Sequence, residues 1–384
     1  LMKSKQVARN IFIIVAILFI SAIFTRALIN ESSSQFDPSV KNASDQAFSQ
    51  PLNNLSKSQK SSFVLGKTLF HGVSNDNRSL EQRGIGPEYN ALTCGECHVS
   101  DGRGNPETTP SRLIKLYNPK NPNKEDPIYG VQLQDKATAA SKPEASIDRS
   151  TIGTSSISDF SRGPLDEDTF IYSRVATPIF GMGLIEAIPD SHFKKTADPS
   201  DTNGDGISGK IGYIENPKTK RREIGRFGWK ATIANVRDQT LLAAKEDTGL
   251  SNSLFPETSC SATRFCVGSN DLTKDQEDQI VAYTRSIAPP RSRELDAKSK
   301  KGKDLFVNLG CAACHTESIK LKKSDVVIKE NTTIHPMSDF LLHSMGPKLA
   351  DPSEIDGRKA DEFRTAPLWG LGLIKKVNGS LHLM

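Results

Sequence analysis

Apolar residues recur at helical spacing over one well-bounded stretch, where Ile280, Val281, Tyr283 and Ile287 fall on one face with Thr284. A stripe of this kind predicts an amphipathic helix packed on a core. Thr273, with Gln276 three positions on, supplies its N-cap signal, and Pro289-Pro290 stops it. A weak internal repeat, Gly66-Lys67-Thr68-Leu69-Phe70 and Gly302-Lys303-Asp304-Leu305-Phe306, marks two further helical segments. Thr154 to Ile179 alternates apolar and polar residues and includes Ile171-Tyr172-Ser173-Arg174-Val175, which predicts one or two short strands. Residues 100–150, rich in Pro, Asn and Lys, read as an extended loop. Residues 28–57, rich in Ser, Asn and Gln, read as a solvated tether, so order is expected to begin near Ser58. The pattern predicts a mainly α chain with long irregular insertions and a few short strands.

The densest apolar run lies at the start. Lys3, Lys5 and Arg9 precede Ile11 to Phe24, which is apolar apart from Ser21. Its length of about 14 residues is short for a membrane span and suits the core of an export signal. Thr25-Arg26-Ala27 offers a poor cleavage site, so residues 1–27 are read as a signal peptide or as an uncleaved N-terminal anchor that attaches the chain to a membrane through residues 11–24. Either reading puts the body in the periplasm or an equivalent exported space. The formal charge of +5 is mostly a leader effect: setting aside Lys3, Lys5, Arg9 and Arg26 leaves 46 basic against 45 acidic residues. That balance argues against a nucleic-acid partner.

The chemistry is carried by Cys94-Gly95-Glu96-Cys97-His98 and Cys311-Ala312-Ala313-Cys314-His315, which take four of the six cysteines. In a Cys-x-x-Cys-His segment both thiols add to one haem and the histidine ligates its iron. Zinc is the rival for an isolated Cys-x-x-Cys, but here a histidine follows both pairs and no second pair or His-x-His spacing completes a tetrahedron. Two covalently attached c-type haems are therefore expected. A hydrophobic content of 36% fits long surface loops around cofactors that supply part of the apolar core. Cys260 and Cys266 sit in a short polar loop and read as a structural disulfide, worth about 2 kcal/mol by loop closure.

A Gly-x-x-Leu-Phe segment on a helix ahead of Cys-x-x-Cys-His resembles the opening helix of a cytochrome c domain. Four residues separate Phe306 from Cys311, whereas 23 separate Phe70 from Cys94, so the first module carries an insertion. The helix over 273–287 resembles a closing helix. This divides the chain into a first haem domain over 58–290 and a second over 291–384. The second has no closing helix, and with Leu1 ahead of Met2 the chain reads as a fragment at both ends.

Several blocks resemble the di-haem oxidoreductase family, also called thiol-oxidoreductase-like or di-haem cytochrome c peroxidase-like. They are Gly181-Met182-Gly183-Leu184-Ile185-Glu186-Ala187-Ile188-Pro189, Gly225-Arg226-Phe227-Gly228-Trp229-Lys230-Ala231, Ser338 to Pro347, and Phe363-Arg364-Thr365-Ala366-Pro367-Leu368-Trp369-Gly370. The resemblance runs from about Gly66 to the end of the chain. It implies a redox protein, not a substrate.

Axial ligands separate enzyme from carrier. Met345, 30 residues beyond His315, is the candidate second ligand for that iron, with His343, Met337 and His335 as competitors. For the iron at His98, Met182 and His71 are available, and neither is compelling. Glu186 is the candidate acid/base for splitting a peroxide bond. Its structural alternative is a carboxylate paired with an arginine such as Arg174. Trp229 and Trp369 are candidate electron relays or simply core aromatics. Asp201, Asn203 and Asp205, with Gly206, form the first half of an EF-hand-like loop. Position 12 would be Gly212, so calcium there needs another ligand such as Asp198 or Glu215, and a metal-free Asn/Asp/Gly turn is the alternative. Two function classes follow. One is a peroxidase-like enzyme with one electron-transfer haem and one substrate-facing haem that meets a small oxidant such as peroxide and draws on a periplasmic redox partner. The other is a non-enzymatic electron-transfer di-haem cytochrome. Thiol–disulfide exchange fits poorly, because haem consumes the cysteine pairs.

Overall fold

The structure is a computed structural model that describes residues 36–72, 85–106, 111–139, 141–151, 154–216, 219–256, 271–322, 328, 332–355 and 357–379. The leader at 1–27 and the Cys260–Cys266 pairing lie outside these residues. The helices are α1 (Lys57–His71), α2 (Cys94–Cys97), α3 (Met182–Glu186), α4 (Asp190–Thr196), α5 (Val236–Thr248), α6 (Lys274–Ser286), α7 (Ala297–Asn308) and α8 (Ile374–Asn378).

Local sequence explains the long helices. Ser56 accepts from the Gln59 amide while the Gln59 side chain returns to the cap, and Thr273 and Gln276 do the same for α6. Asn235 caps α5, which closes on Gly249 in the left-handed region at φ 69°. The centre of the molecule is the crossing of α1 on α6. A Cβ at Gly66 would lie 2.1 Å from Gln279 O and 2.6 Å from Tyr283 Cβ, so only glycine permits this approach. Phe63 and Phe70 flank it, their rings 4.8 and 5.5 Å from Tyr283. Each buried ring contributes about 2 kcal/mol by removing apolar surface from water.

The remainder is six two-stranded antiparallel ribbons: Glu88–Tyr89 with Lys136–Ala137, Arg112–Tyr117 with Phe170–Val175, Ser146–Thr151 with Thr154–Ser158, Tyr213–Glu215 with Arg222–Ile224, Ile319–Lys320 with Thr333–Ile334, and Leu342–Ser344 with Glu362–Arg364. The described residues are 28% helix and 18% strand, which corrects the expectation of a mainly α chain built from two cytochrome c-like domains. The stretch expected to be an extended loop over 100–150 instead contributes the fully paired strand Arg112–Tyr117, with Leu113 opposite Arg174. Its Pro, Asn and Lys content masks the buried Leu113, Ile114, Leu116 and Tyr117. One apolar core also crosses the boundary expected near residue 290, joining Phe48, Phe63, Phe180 and Val281 to Phe340, Leu341, Trp369 and Ile374.

The solvated tether over 28–57 needs the same correction from residue 36 onward. Phe48 stacks on Phe180 at 4.4 Å, Leu52 donates its amide to Ser286 O, and Val40 pairs with Pro290. Two apolar side chains in a polar segment, Phe48 and Leu52, are enough to bury it against the end of α6.

Gly66→Ala tests the crossing. The added methyl must displace α6 backbone, so Gly66→Ala is expected to lower the unfolding free energy of the haem-loaded protein by about 1–3 kcal/mol relative to an alanine placed at the open position Gly302, where a Cβ meets nothing among the described residues.

Candidate functional site

The first Cys-x-x-Cys-His segment forms the single turn α2. Its entry is tied by the Leu92 amide donating to Glu96 Oε1 at 3.2 Å, and the turn closes as the His98 amide donates to Cys94 O at 3.0 Å. The chain then bends sharply. Ser100 and Asp101 both lie at positive φ, 50° and 64°, a strained pair directly after the histidine. The bend is held because the Asp101 amide donates to His98 O and Asp101 O accepts from Ile179.

This site is deep. Cys97 is buried, and His98 Nδ1 is buried with no hydrogen-bond partner among the described residues. Burial pushes the His98 imidazole pKa down, against weaker pulls from the Thr177 backbone and the Asp101 carboxylate. A neutral imidazole with an unpartnered nitrogen is what an iron ligand requires. Burial, assisted by the Asp247 carboxylate on α5, pushes the Cys94 thiol up to about 12 and Cys97 higher still. Both cysteines are free, and thiols held protonated are poor nucleophiles, which disfavours thiol–disulfide chemistry. Phe70 lies 6.0 Å from the His98 ring, and the His71 ring packs on Gly95, where a Cβ would approach His71 Nδ1 to 2.3 Å. His71 Nε2 is committed to Asp101 Oδ1 at 3.0 Å.

The second segment sits at the surface. Cys311 is exposed and Cys314 half-buried. Helix α7 ahead of it has no buried residue, and Leu305 and Leu309 are 59% and 76% exposed. His315 is oriented by residues that follow: its Nδ1 lies 2.8 Å from Met337 O, with the Asp339 amide donating to Cys314 O and the Ser338 amide to Thr316 O. A histidine whose Nδ1–H donates to a carbonyl presents Nε2 to a metal. The residues therefore fit haem at both places: at His98 a buried imidazole whose Nδ1 has no partner among the described residues, and at His315 an oriented imidazole beside an apolar face that a macrocycle would cover.

The other candidates fall as follows. His343 is buried with Nε2 2.9 Å from Asp339 Oδ2 and Nδ1 3.7 Å from Cys314 Sγ. Burial opposes its charge, but the hydrogen bonds to Asp339 and Cys314 outweigh it and raise His343 to about 10. Held by Asp339 and facing Cys314, His343 reads as a support for that cysteine. Met345 is 51% exposed, two residues past His343. Met182 is buried in the core. Trp369 packs on Gly181 in the core, while Trp229 is 37% exposed and donates to Val175 O.

Glu186 is gripped from two sides. Its Oε2 accepts from Arg285 Nε at 2.6 Å, and its Oε1 accepts from Arg285 Nη2 at 3.0 Å and from the Val236 amide at 2.8 Å. It thereby ties α3 to α6 and to the N-terminus of α5. Arg174, the partner expected from the sequence, pairs with Asp351 instead. Asp201, Asn203 and Asp205 form a loop braced by its own hydrogen bonds. Asp201 accepts from the Gly206 amide, Asp205 from the Ile207 amide, and Asn203 bonds Asp205, while Asp198 and Gly209 close the loop. Among the described residues no group of three or more His, Cys, Asp or Glu side chains is placed to hold a metal ion. Sequence reasoning missed the roles of Tyr283, Met337 O and Arg285, which reach their partners across long stretches of chain, and of Asp101, which lies beside its motif but is turned toward His71 by the bend after His98.

Two histidine-terminated cysteine pairs on one chain, one buried and one at the surface, define a di-haem redox protein. The model of the family described as "di-haem oxidoreductase, putative peroxidase" matches residues 29–118 and 144–383, and the chain belongs to that family. Neither the comparison with curated proteins nor that with solved structures gives a match.

With every Glu186 oxygen engaged, Glu186→Gln is expected to act on stability. Replacing the charge-assisted pair with Arg285 should cost about 2 kcal/mol in thermal unfolding, with peroxide turnover changed only severalfold. A loss of about a hundredfold or more in turnover with little change in melting would instead identify an acid/base catalyst.

Proposed function

We propose that the chain is an exported c-type di-haem oxidoreductase of the peroxidase type, with haem bound covalently at Cys94 and Cys97 and at Cys311 and Cys314. The observation that carries this reading is the unequal burial of the two motifs. A buried centre beside α1 and α5 suits a small oxidant such as hydrogen peroxide. A centre beside exposed Cys311 and the bare face of α7 suits contact with a periplasmic redox protein. Haem, when bound, supplies an iron that exchanges single electrons and, with a coordination position open, binds the oxidant.

The residues divide the work. His98 would hold the first haem, and among the described residues at that motif His71 is bonded to Asp101 and Met182 lies in the core. His315, fixed by Met337 O, holds the second iron. Met345, exposed two residues past His343, would supply the thioether to that haem, and a thioether ligand would raise its potential and exclude substrate. Overall, two electrons enter at the surface site and, with two protons, convert one peroxide to two waters. Glu186 braces the helices around the first site. Calcium forms no part of this assignment. No helix among the described residues is long and apolar enough to cross a membrane, and attachment through residues 11–24 is proposed from the sequence alone.

Pyridine haemochrome analysis of the purified full chain should give two haems that survive denaturing electrophoresis, and the reduced protein should consume peroxide. Met345→Ala should lower the potential of one haem only and remove a methionine-to-iron charge-transfer band. Zinc in place of haem, or haem protein inert to peroxide in every redox state, would contradict the assignment; the latter outcome leaves an electron carrier.

A further inference from the structure

Tyr283 is fully buried at the α1–α6 crossing, yet it carries a hydroxyl where phenylalanine would pack as well. Its ring is caged by Phe63, Phe70 and His71 at 4.8, 5.5 and 6.1 Å, and Phe70 in turn lies 6.0 Å from the His98 ring. Its Oη is 3.3 Å from His71 Nε2, and the same nitrogen is 3.0 Å from Asp101 Oδ1. Asp101 is itself fully buried, and its Oδ2 has no hydrogen-bond partner among the described residues. The His71 side chain is 28% exposed and opens this group toward solvent. Burial and the nearby Asp101 carboxylate push the phenol far above its ordinary pKa, so Tyr283 keeps its proton in the resting protein.

Burying a hydroxyl is costly unless it is used. Oxidising a buried phenol is costlier still, because removing an electron alone leaves a cation in an apolar cage. A base in hydrogen-bond reach removes that obstacle by taking the proton as the electron leaves. The His71–Asp101 pair is such a base, and two ring contacts connect the phenol to the ligand of the first iron.

We propose that Tyr283 is a redox residue of the first site. It gives one electron to the first haem after peroxide has oxidised that haem, and its phenolic proton moves to His71 Nε2, which is unprotonated when the ring proton sits on Nδ1; the imidazolium formed is balanced by the Asp101 carboxylate, and a neutral phenoxyl radical remains. One electron from the second haem and the returning proton restore the phenol. This role presupposes peroxide chemistry at His98.

Freeze-quench electron paramagnetic resonance of the haem-loaded full chain mixed with hydrogen peroxide tests it, with peroxide consumption followed on the same samples. A radical signal that narrows when the protein is labelled with ring-deuterated tyrosine, and that is lost in Tyr283→Phe with haem content unchanged, is expected. His71→Gln leaves the phenol in place, removes its imidazole partner and should shift the hydrogen-bond-sensitive g component. Peroxide consumed without a tyrosine radical, a signal unchanged in Tyr283→Phe, or a g component indifferent to His71→Gln overturns the role of Tyr283. A chain that never consumes peroxide refutes the peroxidase reading instead; treating it with a high-potential one-electron metal-complex oxidant then decides separately whether Tyr283 is the residue oxidised.

Discussion

The close crossing of α1 on α6 is the constraint on which the rest depends. Because Gly66 lets the two backbones nearly touch, Phe63, Phe70 and His71 on one helix meet Tyr283 on the other. That junction fixes the floor of the first motif: Phe70 faces His98, His71 lies on Gly95, and Asp101 reaches back to His71. Helix α3 is pressed on the same α6 with similar closeness, since a Cβ at Gly183 would lie 2.2 Å from Arg285 O. The next residue of interest on each helix, Glu186 and Arg285, then pairs at 2.6 Å. A loss of closeness at Gly66 would therefore be felt at the motif, and not merely in the core.

The two motifs are chemically the same but held in opposite ways. The first is embedded by distant elements, including the strained Ser100–Asp101 bend and the acidic end of α5. The second is held largely by one following segment, residues 337–343, which supplies the Met337 carbonyl and the buried Asp339–His343 pair. Enclosure limits what can reach the first motif and lowers the local dielectric, so charges there act at longer range. Exposure leaves the second motif open to solvent. Unequal surroundings for equal ligands are what a division of labour between two haems requires.

Legibility in the sequence followed the range of the interactions. The capping box at Thr273, the helical stripe through Tyr283 and the two cysteine–histidine signatures are local, and the structure forms the helix where the spacing predicts, whereas the capping box at Ser56 lies in the segment read as a tether. The strand Phe170–Val175 was also visible, but its partner Arg112–Tyr117 was not, because a pairing between segments so far apart leaves no local periodicity. The same holds for Glu186: its need for an arginine was readable, while the choice of Arg285 over Arg174 is set by how α3 lies on α6. Residues 36–56 misled through composition, since Phe48 and Leu52 outweigh the polar residues around them. The alternating acidic loop at 201–205 satisfies its carboxylates with its own amides, a turn chemistry that shares its residue types with cation loops.

The division of labour between the two haems is tested most directly by low-temperature electron paramagnetic resonance of the oxidised, complete protein, with and without an added small ligand such as cyanide. One ferric haem at His98 that is high-spin or ligand-exchangeable, beside a low-spin haem at His315 that ignores the ligand, is the predicted result; Met345→Ala should alter the second signal alone. Two low-spin haems that both ignore the ligand in every redox state would contradict it.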